Sequence, residues 1–104
     1  MQNTNFTPID QEFLKLKFQL YDDIKNAILN ALDQDQIKQE EASDIASEFL
    51  YFLELAATKD EILAELESLA GDYSFSEPIY QKYKDKFQDE QKQQQIMSKL
   101  KQFL

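Results

Sequence analysis

Residues 32–43 read LDQDQIKQEEAS and space their acids much as a calcium-binding loop does. With Asp33 as first ligand, Asp35 falls third and Asp44 twelfth. Such a loop also needs an oxygen ligand fifth, a glycine sixth, an apolar residue eighth and a bidentate Glu twelfth. Here those places hold Ile37, Lys38, Glu40 and Asp44, and Lys38 would put a positive charge into the cage. A metal-free corner between two helices explains the stretch better. Ile37 then precedes the second helix and folds inward as the apolar member of a hydrophobic staple. Glu40 and Glu41 sit in the first turn, where the helix dipole favours acids. Lys38 is a poor cap, which is the weak point of this reading. Calcium titration is expected to give no site-specific heat.

Other groups with chemical capacity are the carboxylate pairs Asp22–Asp23, Glu40–Glu41, Asp60–Glu61 and Asp89–Glu90. General acid–base work by two carboxylates needs one acid in an apolar pocket and another nearby in water. Adjacent residues on a helix point in different directions, and these lie on polar faces. Asp22–Asp23, beside the apolar face of the first helix, comes nearest to an exception. Tyr73, Tyr80, Tyr83 and Phe75 form an aromatic cluster that could stack bases, but such clusters more often seal the end of a bundle. The chain has no His, no Cys and no Arg. The commonest general base, the thiolate nucleophile and the planar anion-gripping fork are therefore all missing. No catalytic activity, no metal and no cofactor are expected.

The elements that must position these groups are helices. Val is absent and Gly occurs once, which argues against a sheet protein. Thr7 as N-cap, Pro8 at the first helical position and Asp10 three residues beyond the cap start a helix. Its apolar face carries Ile9, Phe13, Leu16, Leu20, Ile24, Ala27 and Ala31, flanked by Leu14, Tyr21, Ile28 and Leu32. A second helix carries Ala42, Ile45, Ala46, Phe49, Leu50, Phe52, Leu53, Ala56 and Ala57, and its FLYFL run is apolar almost all round, the mark of a central, well-buried helix. Thr58 with Glu61 caps a third helix, which presents Ile62, Leu63, Leu66 and Leu69 and is expected to stop at Gly71 in a left-handed cap. Pro78 restarts a fourth. The reading is an all-α single domain over 1–104, an antiparallel bundle of four helices at about 8–33, 38–57, 58–70 and 77–104. Residues 1–6 are expected to be flexible, and 96–104 form a candidate docking tail.

Net charge is −9 and uneven: −2 over residues 1–33, −5 over 34–57, −5 over 58–78 and +3 over 79–104. An acidic middle repels nucleic acid, and no stretch is long and apolar enough for a membrane span. With no basic, apolar leader at the start, a cytoplasmic location is the default.

Two helices carry more apolar surface than one bundle face needs. Phe18 and Leu29 lie about 60 degrees past the flank of the first helical stripe at ~100 degrees per residue. Tyr51 and Leu55 lie among the acids Asp44 and Glu48 on the second. In the tail, Ile96, Met97, Leu100, Phe103 and Leu104 point about 100 degrees away from Ile79, Tyr80, Tyr83 and Phe87. Either the helix bends within 88–95 or the tail meets a different surface. Folding back on its own bundle is the first expectation, and docking into a second protomer or a partner is the alternative. The partner-binding candidates are therefore Phe18, Leu29, Tyr51, Leu55, Ile96, Met97, Leu100 and Phe103. The expected function is a small acidic cytoplasmic protein–protein interaction module without catalytic activity, possible as a homodimer. The alternative is an acidic nucleic-acid mimic that occupies a basic protein surface.

Overall fold

A computed structural model describes residues 8–104, with side chains from Gln11 onward. Thr7 as a cap, the side chains of Pro8, Ile9 and Asp10, and the expected flexibility of 1–6 lie outside the described residues. The fold is all-α. The helices are α1 (Pro8–Asp33), α2 (Gln39–Leu55), α3 (Lys59–Asp72) and α4 (Glu77–Gln102), with a 3-10 turn at Ser74–Ser76 before α4. Among the described residues no strand forms, and no helix is long and apolar enough to cross a membrane. The chain divides into two compact units, Met1–Leu55 and Ala56–Leu104.

In the first unit α1 packs on α2. Leu16, Leu20, Ile24, Ile28 and Ala31 of α1 are buried, as are Ala42, Ile45, Phe49 and Leu53 of α2. Both sets follow the helical repeat, so each helix turns one face into the shared core. The corner between them is built by backbone chemistry. Asp35 is left-handed, with φ 57°. The Gln36 N–H donates to the Ala31 carbonyl at 2.8 Å and the Asp35 N–H to the Leu32 carbonyl at 3.1 Å. Together these are the two bonds of a Schellman cap, which satisfy carbonyls that α1 leaves without partners. The weakness at Lys38 is met from the other end of the turn. The Glu41 carboxylate accepts the Lys38 N–H at 3.0 Å, which supplies half of a capping box. Ile37 and Ala42, the two staple positions, are both buried. Of the acids in this stretch, Glu41 caps α2 and Asp35 takes the left-handed position, and among the described residues no three acidic side chains group as metal ligands.

In the second unit α3 packs on α4. Thr58 caps α3 by accepting the Glu61 N–H at 3.1 Å, and the Glu61 carboxylate accepts the Ala57 N–H at 3.1 Å. The core is Ile62, Leu66, Leu69, Tyr83 and Phe87, with Tyr83 and Phe87 edge to face at 6.1 Å between ring centres. Ser76 is completely buried, and its hydroxyl donates to the Tyr73 carbonyl at 2.8 Å. That bond removes the cost of an unpaired polar group in the core.

Three expectations are corrected. Gly71 does not end α3 in a left-handed conformation. The helix continues through Asp72 and ends on extended Tyr73, whose N–H reaches the Leu69 carbonyl at 2.7 Å. A chain that leaves the helix extended has no need of a residue with positive φ. Second, α2 is not buried all round: Phe49 and Leu53 are buried, while Leu50, Tyr51 and Leu55 are exposed. One neighbouring helix in the unit covers one face only. Third, α4 does not bend within 88–95, and its tail packs on nothing in its own unit. α4 runs unbroken to Gln102, and Ile96, Met97, Leu100, Phe103 and Leu104 are all exposed.

The exchange of special positions is testable. Nothing lies within 4 Å of a Cβ placed on Gly71, so Gly71→Ala is expected to stabilise the protein by about 0.5–1 kcal/mol through helix propensity. Asp35→Val, which forces a branched side chain into the left-handed region, is expected to cost about 1–2 kcal/mol. Urea denaturation of both variants checks the signs. A neutral Asp35→Val would mean that the corner relaxes to another conformation.

Candidate functional site

The face that α1 and α2 leave uncovered holds an apolar groove of about 260 Å³. Tyr21, Ile28, Leu29 and Leu32 line it from α1, and Ala46 and Phe49 from α2. The spacing on α1 explains the wall. Residues 21, 25, 28, 29 and 32 fall within one arc of the helix, which overlaps the core face at Ile28 and runs on beside it. Lys25 also lines the groove, and its charge is held by Asp22 at 3.4 Å. Along the same arc toward the start of α1 stand Leu14 and Phe18, with Phe18 65 % exposed. On α2, Leu50 follows Ala46 by one turn and is also exposed. The α1–α2 pair therefore carries a row of apolar side chains that its own two helices do not cover.

The sequence-derived candidates separate into three places. Phe18 and Leu29 belong to the groove side of α1. Tyr51 and Leu55 lie on the other side of α2, away from Ala46 and Phe49, and are exposed there. Ile96, Met97, Leu100 and Phe103 lie on the part of α4 beyond the reach of α3. The extent of α3 is marked by two contacts: Glu67 with Tyr80, and Lys59, its first residue, with Glu90. Past Glu90, α4 has no α3 to pack on. Sequence reasoning missed Leu50, Ala46 and Leu32 as parts of an open groove, because Leu50 and Ala46 sit within a run that reads as buried and Leu32 flanks a core stripe.

The remaining candidate chemistry resolves into structural roles. The aromatic group around the loop does not form one cluster. Tyr73 and Phe75 pair at 5.8 Å, Tyr83 enters the core, and the Tyr80 hydroxyl donates to Glu67 Oε2 at 3.0 Å. A second cleft, of about 450 Å³, lies between α3 and α4 and is lined by Lys59, Asp60, Tyr80, Lys84 and Glu90 among others. The ion pair Lys59–Glu90 at 2.7 Å bridges it, and Lys59 also stands 5.3 Å above the Phe87 ring. Among the described residues no Asp or Glu is buried, so neither cleft offers a carboxyl in a dry pocket.

The Tyr80 phenol does not titrate at its ordinary value. The hydrogen bond to Glu67 raises its phenol above the ordinary value, with desolvation and the charges of Glu67 and Glu77 acting in the same direction. The protonated phenol is the form that the fold favours. This contribution is therefore present below the ordinary tyrosine value and is lost as pH rises through the folded one. Absorbance titration of the parent and of Glu67→Gln is expected to differ, with Tyr80 ionising at lower pH in the variant, and an unchanged curve would remove the hydrogen bond as the cause.

Compared with protein-family models, curated proteins and solved structures, the chain matches none.

Proposed function

We propose that the chain is a non-catalytic protein–protein interaction module whose α1–α2 groove receives an amphipathic helix. The observation that carries this reading is the groove itself: an open, largely apolar trough between two helices, continued by exposed Leu14, Phe18 and Leu50. Helix-in-groove recognition uses this surface, with apolar anchors at helical spacing entering between two parent helices. An exposed Phe beside a ready-made trough is the kind of aromatic anchor on which binding energy concentrates. The missing His, Cys and Arg, and carboxylates that reach solvent throughout the described residues, support the non-catalytic part.

A photo-reactive phenylalanine analogue placed at Phe18 or Leu29, and at Glu12 or Asp44 as controls on solvated faces, tests the reading in the native cell. Adducts with a protein are expected from Phe18 and Leu29 and not from the controls, and they should survive raised salt. Equal labelling at all four positions would sink the groove as the binding surface. Labelling that vanishes as salt rises would favour the acidic mimic, whose contacts are charges screened by salt.

A further inference from the structure

The groove's occupant is also written in this chain. Resting on the interaction-module reading, we propose that the groove of one copy takes the C-terminal tail of α4 from a second copy, residues 91–104, and that two copies exchange tails reciprocally.

Three observations support this. The first is that the tail is an unused helix. α3 is 14 residues long and α4 is 26. The Lys59–Glu90 pair joins the first residue of α3 to α4, so α4 continues for about 18 Å past its last partner at ~1.5 Å per residue. It is unbroken there, so it cannot turn back onto α3. On that overhang Ile96, Met97, Leu100, Phe103 and Leu104 recur at i, i+1, i+4, i+7 and i+8, one apolar face, and all are exposed. This is the ligand that a helix-binding groove needs.

The second observation is length. The apolar face from Ile96 to Leu104 covers about 12 Å of helix, and the groove wall from Tyr21 to Leu32 about 16 Å. One fits within the other, with Phe18 and Leu14 extending the wall further.

The third is charge. Residues 91–104 carry Lys92, Lys99 and Lys101 and no acid, a net +3. Residues 1–55 carry eleven acids and four lysines, a net −7. Lys25, which lines the groove, is held by Asp22. Complementary fields of this kind steer encounter and fix register. The same charges count against the simplest rival, two tails zipped to each other, because that sets +3 against +3. Reciprocal exchange gives a closed two-fold dimer with the contact made twice, which is the commonest symmetry of homo-oligomers.

The test uses the full chain. Light scattering over a concentration series is expected to show a rise to twice the monomer mass. The double variant Leu100→Asp, Phe103→Asp is expected to weaken association by at least about thirtyfold. Its helicity when dilute should change little, since both side chains are exposed in the single chain. A photo-crosslinker at Met97 in a mixture of light and heavy isotope-labelled protein locates the contact without relying on that variant. Mixed light–heavy adducts that map to residues 14–32 support the exchange. Adducts confined to one isotope show that a tail fills its own chain's groove, and adducts between tails show a zipped pair; either overturns the proposal. So does a purified protein that stays monomeric throughout. If that monomer still labels another protein from Phe18 and Leu29 in the cell, the exchange fails and the groove reading stands. If neither experiment yields a groove adduct, both fail.

Discussion

Phe49→Ala is expected to destabilise the first unit by about 3–5 kcal/mol, the usual cost of emptying a buried phenylalanine site. Phe103→Ala, the same chemical change, is expected to leave the dilute protein within about 0.5 kcal/mol of the parent. The difference lies in surroundings alone. Phe49 is 2 % exposed and Phe103 86 %. Phe49 lies on the core face of α2, 6.0 Å from the Phe52 ring, and also lines the groove. Truncation would remove its transfer energy and leave a void that the packed helices fill only in part. The open groove beside it gives neighbours room to settle, which favours the lower half of that range. Two compact units make a single unfolding midpoint an insecure measure. Amide exchange read separately over residues 1–55 and 56–104 assigns the loss, which should appear in the first stretch. A Phe49→Ala variant within 1 kcal/mol of the parent would show that the α1–α2 core is not closed around this ring.

The second large effect is expected in exchange rates along α4. Residues 80–90 carry the buried Tyr83 and Phe87, so their amides should open only with the second unit. For a stable domain that means free energies up to the global value, about 5–15 kcal/mol. Residues 92–102 belong to the same helix but pack on nothing in their unit. An isolated helix of about a dozen residues is marginal in water, so opening there should cost close to zero. Dilute protein is therefore expected to show protection falling by several orders of magnitude across the few residues after Glu90. If tails are exchanged between copies, protection of 92–102 should rise with protein concentration while that of 80–90 does not. Uniform protection along all of α4 in dilute protein would mean that the tail is covered within one chain.

Both expectations turn on a division visible throughout the molecule. The sequence by itself determined the helices. Capping, staple and periodicity are interactions between residues no more than five apart, so their signals stand close together in the chain. That is why Ile37 turns inward, why Thr58 and Glu61 open α3, and why four helices form close to their expected bounds. Local chemistry also has degeneracies that the sequence does not resolve. A left-handed residue is needed where the chain reverses on α1, and Asp35 supplies it, while Gly71 sits in ordinary helix because the chain beyond it leaves extended. Lys38 reads as a poor cap until Glu41 is seen to reach its N–H. Burial was decided only by the tertiary structure, because it depends on what stands opposite. FLYFL reads as core on every side, yet α2 meets one neighbour in its unit and leaves Leu50, Tyr51 and Leu55 in solvent. The tail has a core-like apolar stripe, and it is exposed within its unit because α3 begins at Lys59, opposite Glu90, and does not reach beyond it. The groove is the same matter at larger scale: Leu29, Leu32 and Ala46 become one surface only when α1 and α2 are laid side by side.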